Sequence, residues 1–281
     1  MKSVVVTGAS TGIGWGTAKI LIENGFQVFG GVRKEGDAER LRTEFGASFT
    51  PLLLDVTDPQ APFAAARTVS AALGKDTLFG LVNNAGIAVP GPLLYLTPEE
   101  MRRQFDVNVT GQLTVTQAFA PLLGADPERQ GTRGRVVMIS SVGGRRAFPF
   151  MGPYAASKFA LEGLSEALRR EFMLLGIEVV VIAPGAVVTK IWDKAEAEDV
   201  TRFANTPYAS ALARMRETMT KMGRAGLAPE DLGRAVLHAL TTPKPKVRYV
   251  VTRQKFQEFM MDVLPKRWLD RMIAKQLGFG R

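Results

Sequence analysis

The chain contains no cysteine and a single histidine, His238, among its 281 residues. Disulfides and thiolate chemistry are therefore excluded. Zinc sites draw on His and Cys, so none is expected, and the same scarcity argues against a Ser-His-Asp hydrolase. Long apolar runs are also missing. None approaches the roughly 18 residues of a membrane span, and "MKSVVVTGAS" is too short in apolar residues for a secretory signal. The expectation is a cytoplasmic protein.

What is present looks like an ordinary globular chain: 46% of residues are hydrophobic and 22% charged. The length allows one large α/β domain or two small ones. A net charge of +9 fits an anionic partner, such as a cofactor or a membrane surface, or simply a basic solvated surface. Part of it is local, because Lys266 to Arg281 holds several Lys and Arg against one Asp. With no base-stacking motif or zinc finger, nucleic acid is not expected as a partner.

Short β-branched runs alternate with helical patterns along the chain. Strands are predicted at Ser3–Val6, Gln27–Val32, Phe49–Val56, before "NNAG", in "GRVVMISS", in "GIEVVVIAPG" and near Arg248–Val251. Helices are predicted at Trp15–Asn24, over "EGDAERLRTEFG" and "QAPFAAARTVSAAL", from Thr97 through Leu123, after "YAASK", and at Pro229–Leu240. Thr97 followed by Pro98 and two acids is a strong helix start. Continuous apolar strands between helices predict a parallel sheet covered on both faces. The fold class is thus α/β, a single doubly wound domain over 1–281. Residues 190–223 interrupt the alternation as an insertion, and 253–281 form a C-terminal helical extension.

"TGASTGIG" lies between the first strand and the first helix. Gly8, Gly12 and Gly14 let the backbone turn tightly and approach a pyrophosphate at a helix N-terminus, although the spacing is not the usual G-x-G-x-x-G. In such sheets ligands lie across the carboxyl ends of the strands. Those ends carry Asp55, Asn83 to Gly86, Ser140 and Ser141, and Pro184 with Gly185. Strand ends often carry turn-formers, but that does not account for serines thirteen residues ahead of a Tyr-x-x-x-Lys helix.

In order and spacing, "TGASTGIG", "NNAG", Asn108 in "FDVNVTG", "ISS", "YAASK" and "PGAVVT" resemble the short-chain dehydrogenase/reductase family over roughly residues 3–190. The chain as a whole is most similar to steroid- or retinol-type members. The resemblance implies a Rossmann-type fold, an NAD(P)-dependent oxidoreductase, and a catalytic set of Ser141, Tyr154, Lys158 and Asn108. Ser141, rather than Ser140, has the family's offset to the tyrosine. Tyr154 would pass a proton to or from the substrate oxygen, Ser141 would hold that oxygen, Lys158 would hold the nicotinamide ribose, and Asn108 would hold a water. Residues i and i+4 share a helix face. A lysine beside a phenol, together with a cationic nicotinamide ring, favours the tyrosinate, whose ordinary pKa near 10 is too high for a base.

The cofactor contacts implied are Gly8, Ser10, Thr11, Gly12, Ile13, Gly14, Arg33, Asp55, Val56, Asn83, Ala85, Gly86, Tyr154, Lys158, Pro184, Gly185, Val187 and Thr189. Asp55 and Asn83 would lie on the adenine side and Thr189 near the carboxamide or a phosphate. Val32 stands where an NAD-preferring relative has an acid, and Arg33 follows it, so NADP is expected over NAD. Thr11, where many NADP-dependent relatives have a basic residue, is a departure from that pattern.

The 190–223 insertion would be the substrate lid. Trp192, Phe203, Tyr208, Leu212 and Met215, with Phe148, Phe150 and Met151 ahead of Tyr154, suit a lipophilic alcohol or ketone, or else pack the lid to the body. In the tail, Phe256, Phe259, Met260, Val263, Leu264, Trp268, Leu269, Met272, Ile273 and Leu277 recur at helical spacing among Lys and Arg. They fit a core-packing helix, a dimer contact or a membrane-surface helix. A homodimer or higher homo-oligomer follows from the resemblance. The alternatives are an NAD-dependent dehydrogenase, a dehydratase, epimerase or enoyl reductase on the same scaffold, and a non-catalytic dinucleotide-binding regulator.

Overall fold

A computed structural model describes residues 1–189 and 200–279. The strands are β1 (Ser3–Val6), β2 (Gln27–Val32), β3 (Phe49–Leu53), β4 (Gly80–Asn83), β5 (Arg135–Ile139), β6 (Glu178–Pro184) and β7 (Arg248–Val251). They form one sheet in the order β3-β2-β1-β4-β5-β6-β7, and every pairing is parallel. The helices between them are α1 (Gly12–Glu23), α2 (Glu35–Phe45), α3 (Ala61–Leu73), α4 (Pro98–Phe105), α5 (Gly111–Phe119), α6 (Gly152–Glu171), α7 (Ala209–Arg224) and α8 (Pro229–Thr241). Two more, α9 (Lys255–Val263) and α10 (Lys266–Leu277), follow the last strand.

Alternation along the strands builds two cores. Val5, Leu81, Val136, Met138 and Val179 point to the face covered by α3, α5 and α6. Val4, Val6, Val82, Val137, Ile139 and Ile182 point to the face covered by α1, α2 and α8. Both faces bury apolar side chains, so each strand reads as a continuous hydrophobic run. This is the doubly wound, Rossmann-type architecture expected.

Strand order reverses between β1 and β4, which opens a crevice at their carboxyl ends. The two strands are stitched together there. Thr7 Oγ1 accepts hydrogen bonds from the backbone N–H of Asn84 at 2.9 Å and Ala85 at 3.0 Å. The Asn84 side chain donates back to the Thr7 carbonyl at 2.8 Å.

Three boundaries differ from expectation. β3 ends at Leu53, ahead of Asp55 and Val56. The predicted Thr97–Leu123 helix does begin with a capping box between Thr97 and Glu100, but a five-residue π turn at Asp106–Thr110 divides it. The tail is two helices rather than one. Leu264, held extended at φ −66° and ψ 140° ahead of Pro265, ends α9, as the residue before a proline commonly does. No helix among the described residues is long and apolar enough to cross a membrane.

Helices α1 and α8 cross at two glycines. A Cβ on Gly16 would lie 2.5 Å from the Pro229 carbonyl carbon, and one on Gly233 would lie 2.5 Å from the Gly16 oxygen. Backbone, not a flexible side chain, occupies that space. Gly233→Ala is therefore expected to destabilise the protein by about 2 kcal/mol despite alanine's higher helix propensity. A denaturant midpoint equal to that of the native protein would contradict the close crossing.

Candidate active site

Helix α6 enters the sheet's carboxyl edge just beyond β5. Lys158 is 5% exposed, and its Nζ donates to the carbonyl of Ile139, the last residue of β5, at 2.8 Å. That bond fixes the helix over the strand end, and Tyr154, one turn earlier, comes to the serine that follows β5. Ser141 and the Tyr154 ring both lie against Gly143, and the Ser141 Oγ accepts from the Gly143 N–H at 3.0 Å. Ser140 is buried, with no partner for its hydroxyl among the described residues.

Asn108 lies in the π turn between α4 and α5, fully buried. Its Oδ1 accepts from the Ile87 N–H at 2.9 Å, and its Nδ2 donates to the Ile87 carbonyl at 3.0 Å and Ser157 Oγ at 3.1 Å. Ser157 in turn donates to the Tyr154 carbonyl at 2.7 Å. Gln104, one turn before Asn108, donates to Ser157 Oγ at 3.3 Å and to the Ile87 carbonyl at 2.9 Å. Sequence reading missed Gln104 and Ser157. Their only signal was a polar residue inside an otherwise buried helix face.

Without a cofactor, burial rather than the Lys158 charge governs the phenol. The Lys158 Nζ lies 5.8 Å from the Tyr154 ring centroid. Desolvation raises the phenol above its ordinary value, and the Ser141 hydrogen bond pulls only partly against this. Lys158 itself is brought down to about 8, first by burial and then with Glu162, one turn on, working in the opposite direction. In this state the pair is a protonated phenol beside an ammonium that gives up its proton readily.

The dinucleotide cradle forms at the switch point. Gly8 and Gly12 take positive φ, 65° and 59°. A Cβ on Gly14 would meet the Gly8 oxygen at 2.2 Å. Ser10, Thr11 and Gly12 border a cavity of about 550 Å³ that Thr189 and Arg40 also line. The first turn of α1 has no acidic residue, and the Thr11 side chain makes no cap bond there, which leaves the helix N-terminus suited to a pyrophosphate. These residues fit a dinucleotide. Thr189 packs against Gly12, where a Cβ would meet it at 3.0 Å. Gly86 lies beside Asn108 Oδ1, and Val187 is buried beyond the Pro184–Gly185 end of β6.

At the adenine side two expectations part. Asp55 is half-buried and accepts from Thr57 N–H and Oγ1 at 3.0 and 2.7 Å. Burial raises its carboxyl, but those bonds and the Arg33 charge outweigh this and hold it below the usual range. Asn83 is fully buried, with its side-chain Nδ2 donating to Thr116 Oγ1 at 2.8 Å, which ties β4 to α5 inside the core. Arg40, which sequence reading missed, reaches from α2 to donate to the Ser10 carbonyl at 2.6 Å, and Asp37 and Glu44 hold its guanidinium there.

Above Tyr154 an aromatic cluster forms. Phe150, Met151, Phe203, Leu212, Met215 and Leu277 are buried together, and Phe148, Tyr154 and Tyr208 pack on them. Phe150 takes a positive φ of 66°, a conformation that costs a bulky residue about 1–2 kcal/mol and persists where surroundings over-determine it. Its carbonyl accepts from Gly91 N–H at 2.8 Å. Trp192 and the first part of the insertion, 190–199, lie outside the described residues.

The model of the short chain dehydrogenase family matches residues 2–200. The chain belongs to that family. This short-chain dehydrogenase is an NAD(P)-dependent oxidoreductase with retinol dehydrogenase-like relatives. It is 38% identical over 278 residues to an NADPH-dependent 3-dehydrocapnine reductase of Ornithobacterium rhinotracheale, covering 99% of this chain and 98% of that one. It is 32% identical over 289 residues to retinol dehydrogenase 7 of Rattus norvegicus, covering 97% and 87%. Among solved structures, a short-chain dehydrogenase from Streptomyces avermitilis superposes with a TM-score of 0.75 at 28% identity, covering 98% and 94%.

Keeping Lys158 charged in the core opposes folding. That penalty is fully present below its folded value of about 8 and fades as pH rises toward the ordinary 10.5, an amount of roughly 3 kcal/mol at 1.36 kcal/mol per unit. Without added cofactor, Lys158→Met is expected to raise Tm at neutral pH. The difference should shrink as pH climbs through that window, and a pH-independent difference would refute the buried charge.

Proposed function

We propose that this protein is an NADP(H)-dependent oxidoreductase interconverting a lipophilic alcohol and ketone, with Tyr154 as the acid/base. The observation that carries the reading is the Tyr154 ring beside Ser141 at Gly143, one turn from a buried Lys158 and packed against apolar side chains. A nicotinamide cofactor, when bound, supplies or accepts the hydride at the substrate carbon. Gly8, Gly12 and Gly14 with the start of α1 would hold its pyrophosphate, and Thr189 and Lys158 would hold the nicotinamide half.

The chain's own residues handle the oxygen. Ser141 donates to the substrate carbonyl oxygen and fixes it beside Tyr154. In reduction, the Tyr154 O–H bond breaks and its proton forms the new O–H bond on the substrate, leaving the electron pair on the phenolate. Lys158, with its lowered affinity for a proton, returns one to Tyr154 and recovers it from solvent through a water held near Asn108. Ser157 and Gln104 position Tyr154 and Asn108 through the helix backbone.

Arg33 just after β2 and Arg40 on α2 support a 2′-phosphate, as does the relative of Ornithobacterium, named an NADPH-dependent reductase. The aromatic cluster over Tyr154 supports a lipophilic substrate, and residues 200–223 supply much of it as a lid. A family member that binds dinucleotide without turnover is the competing reading, and the intact Ser, Tyr, Lys and Asn speak against it.

Tyr154→Phe should lower kcat/KM for carbonyl reduction roughly 10²- to 10⁴-fold while NADPH still quenches or shifts protein fluorescence. Assayed on a panel of steroid, retinoid and medium-chain carbonyls, native-like turnover by the variant would refute the role of Tyr154. NADPH binding with no turnover of any panel member by the native protein would favour the regulator. Separately, Arg33→Asp should weaken NADPH relative to NADH by about tenfold or more, a loss of at least one charge-assisted contact. An unchanged ratio would remove Arg33 from cofactor choice.

A further inference from the structure

The C-terminal tail spends only its inner side on the body. Leu277 is buried in the aromatic cluster and Ile273 packs on it. Arg214 of α7 donates to the Leu277 carbonyl at 3.1 Å, and the Phe279 and Phe150 ring centroids lie 6.1 Å apart. The outer side is left to solvent. On α9, Phe256, Phe259 and Val263, at i, i+3 and i+7, are 77%, 61% and 57% exposed. On α10, Trp268 and Met272, at i and i+4, are 61% and 57% exposed.

Cations flank this stripe. Arg267, Arg271 and Lys275 form an exposed i, i+4, i+8 row beside Trp268 and Met272, and Lys255 and Lys266 stand exposed at the two helix starts. Glu258 on α9 is taken up by Arg146 from the body, and Asp270, exposed among the α10 cations, offsets only one of them. Two-fold pairing of this face with a second copy would set rows of like charge against each other, an arrangement that costs several kcal/mol. An anionic surface suits both features at once.

We propose that the outer face of α9 and α10 docks on an anionic lipid bilayer, with Phe256, Phe259, Trp268 and Met272 entering the headgroup–acyl boundary and the Lys and Arg row meeting lipid phosphates. The contact is peripheral. The 12 residues of α10 span about 18 Å at 1.5 Å per residue, well short of a roughly 30 Å hydrocarbon core. Docking would present the aromatic cluster above Tyr154 to the phase in which a lipophilic alcohol or ketone partitions. That consequence rests on the function proposed above, whereas the docking itself does not.

The test is co-sedimentation of the full chain with vesicles, read as bound fraction and not as turnover. Pelleting is expected with mixed phosphatidylglycerol and phosphatidylcholine vesicles and not with phosphatidylcholine alone. It should weaken in 1 M NaCl, where the screening length falls to about 3 Å. The quadruple variant F256S/F259S/W268S/M272S should lower the partition coefficient about tenfold or more. The charge-reversal variant R267E/R271E/K275E should do the same on anionic vesicles, with an unchanged melting curve showing that it is folded. Absence of pelleting with anionic vesicles, or pelleting that neither variant reduces, overturns the proposal. So does sedimentation velocity showing a native dimer that the quadruple variant converts to monomer, which would assign the face to a second copy.

Discussion

An ammonium group with almost no water around it, tied to the last carbonyl of a central strand, organises this molecule. The bond from Lys158 to Ile139 sets the position of α6 along β5. Given that position, the 3.6-residue repeat brings Tyr154 to the serine leaving the strand, and Ser157 to the Asn108 turn. An unpaired charge at such depth would be expelled or neutralised. Here it is tolerated at a lowered proton affinity, with Glu162 nearby and one backbone acceptor. The strain is electrostatic.

The fold was legible because burial on both faces leaves a plain mark: Val-rich runs without alternation, each followed by turn-formers. The two cores contain those runs almost residue for residue. The Thr97 cap was also readable, since a side chain bonding its own local backbone depends on little else. What escaped was whatever depends on a distant partner. Asn83 reads as a crevice residue at a strand end, yet its amide turns into the sheet toward Thr116. Arg40 belongs to the glycine loop only because α2 folds back beside it. Gln104 and Ser157 meet across 53 residues of sequence. The Pro265 break was visible in the sequence but was overridden by a helical repeat that continues through it.

Proton affinity was the least legible property. A Tyr and a Lys one turn apart suggest a lowered phenol when water screens both and only the charge acts. Folding removes that water, and desolvation then raises the phenol and lowers the lysine. Spacing fixed the partners, but their titration depended on what packed around them, including an aromatic cluster drawn from four separate segments of the chain.

The crossing at Gly16 and Gly233 has a temporal side. The helix that opens the dinucleotide loop is made within the first two dozen residues, yet its neighbour is more than two hundred residues later in synthesis. Contacts of such long range are slow to close. On the ribosome, the loop must therefore wait, lacking its final support, until nearly the whole polypeptide has emerged, and nucleotide captured before then would meet a half-built cradle.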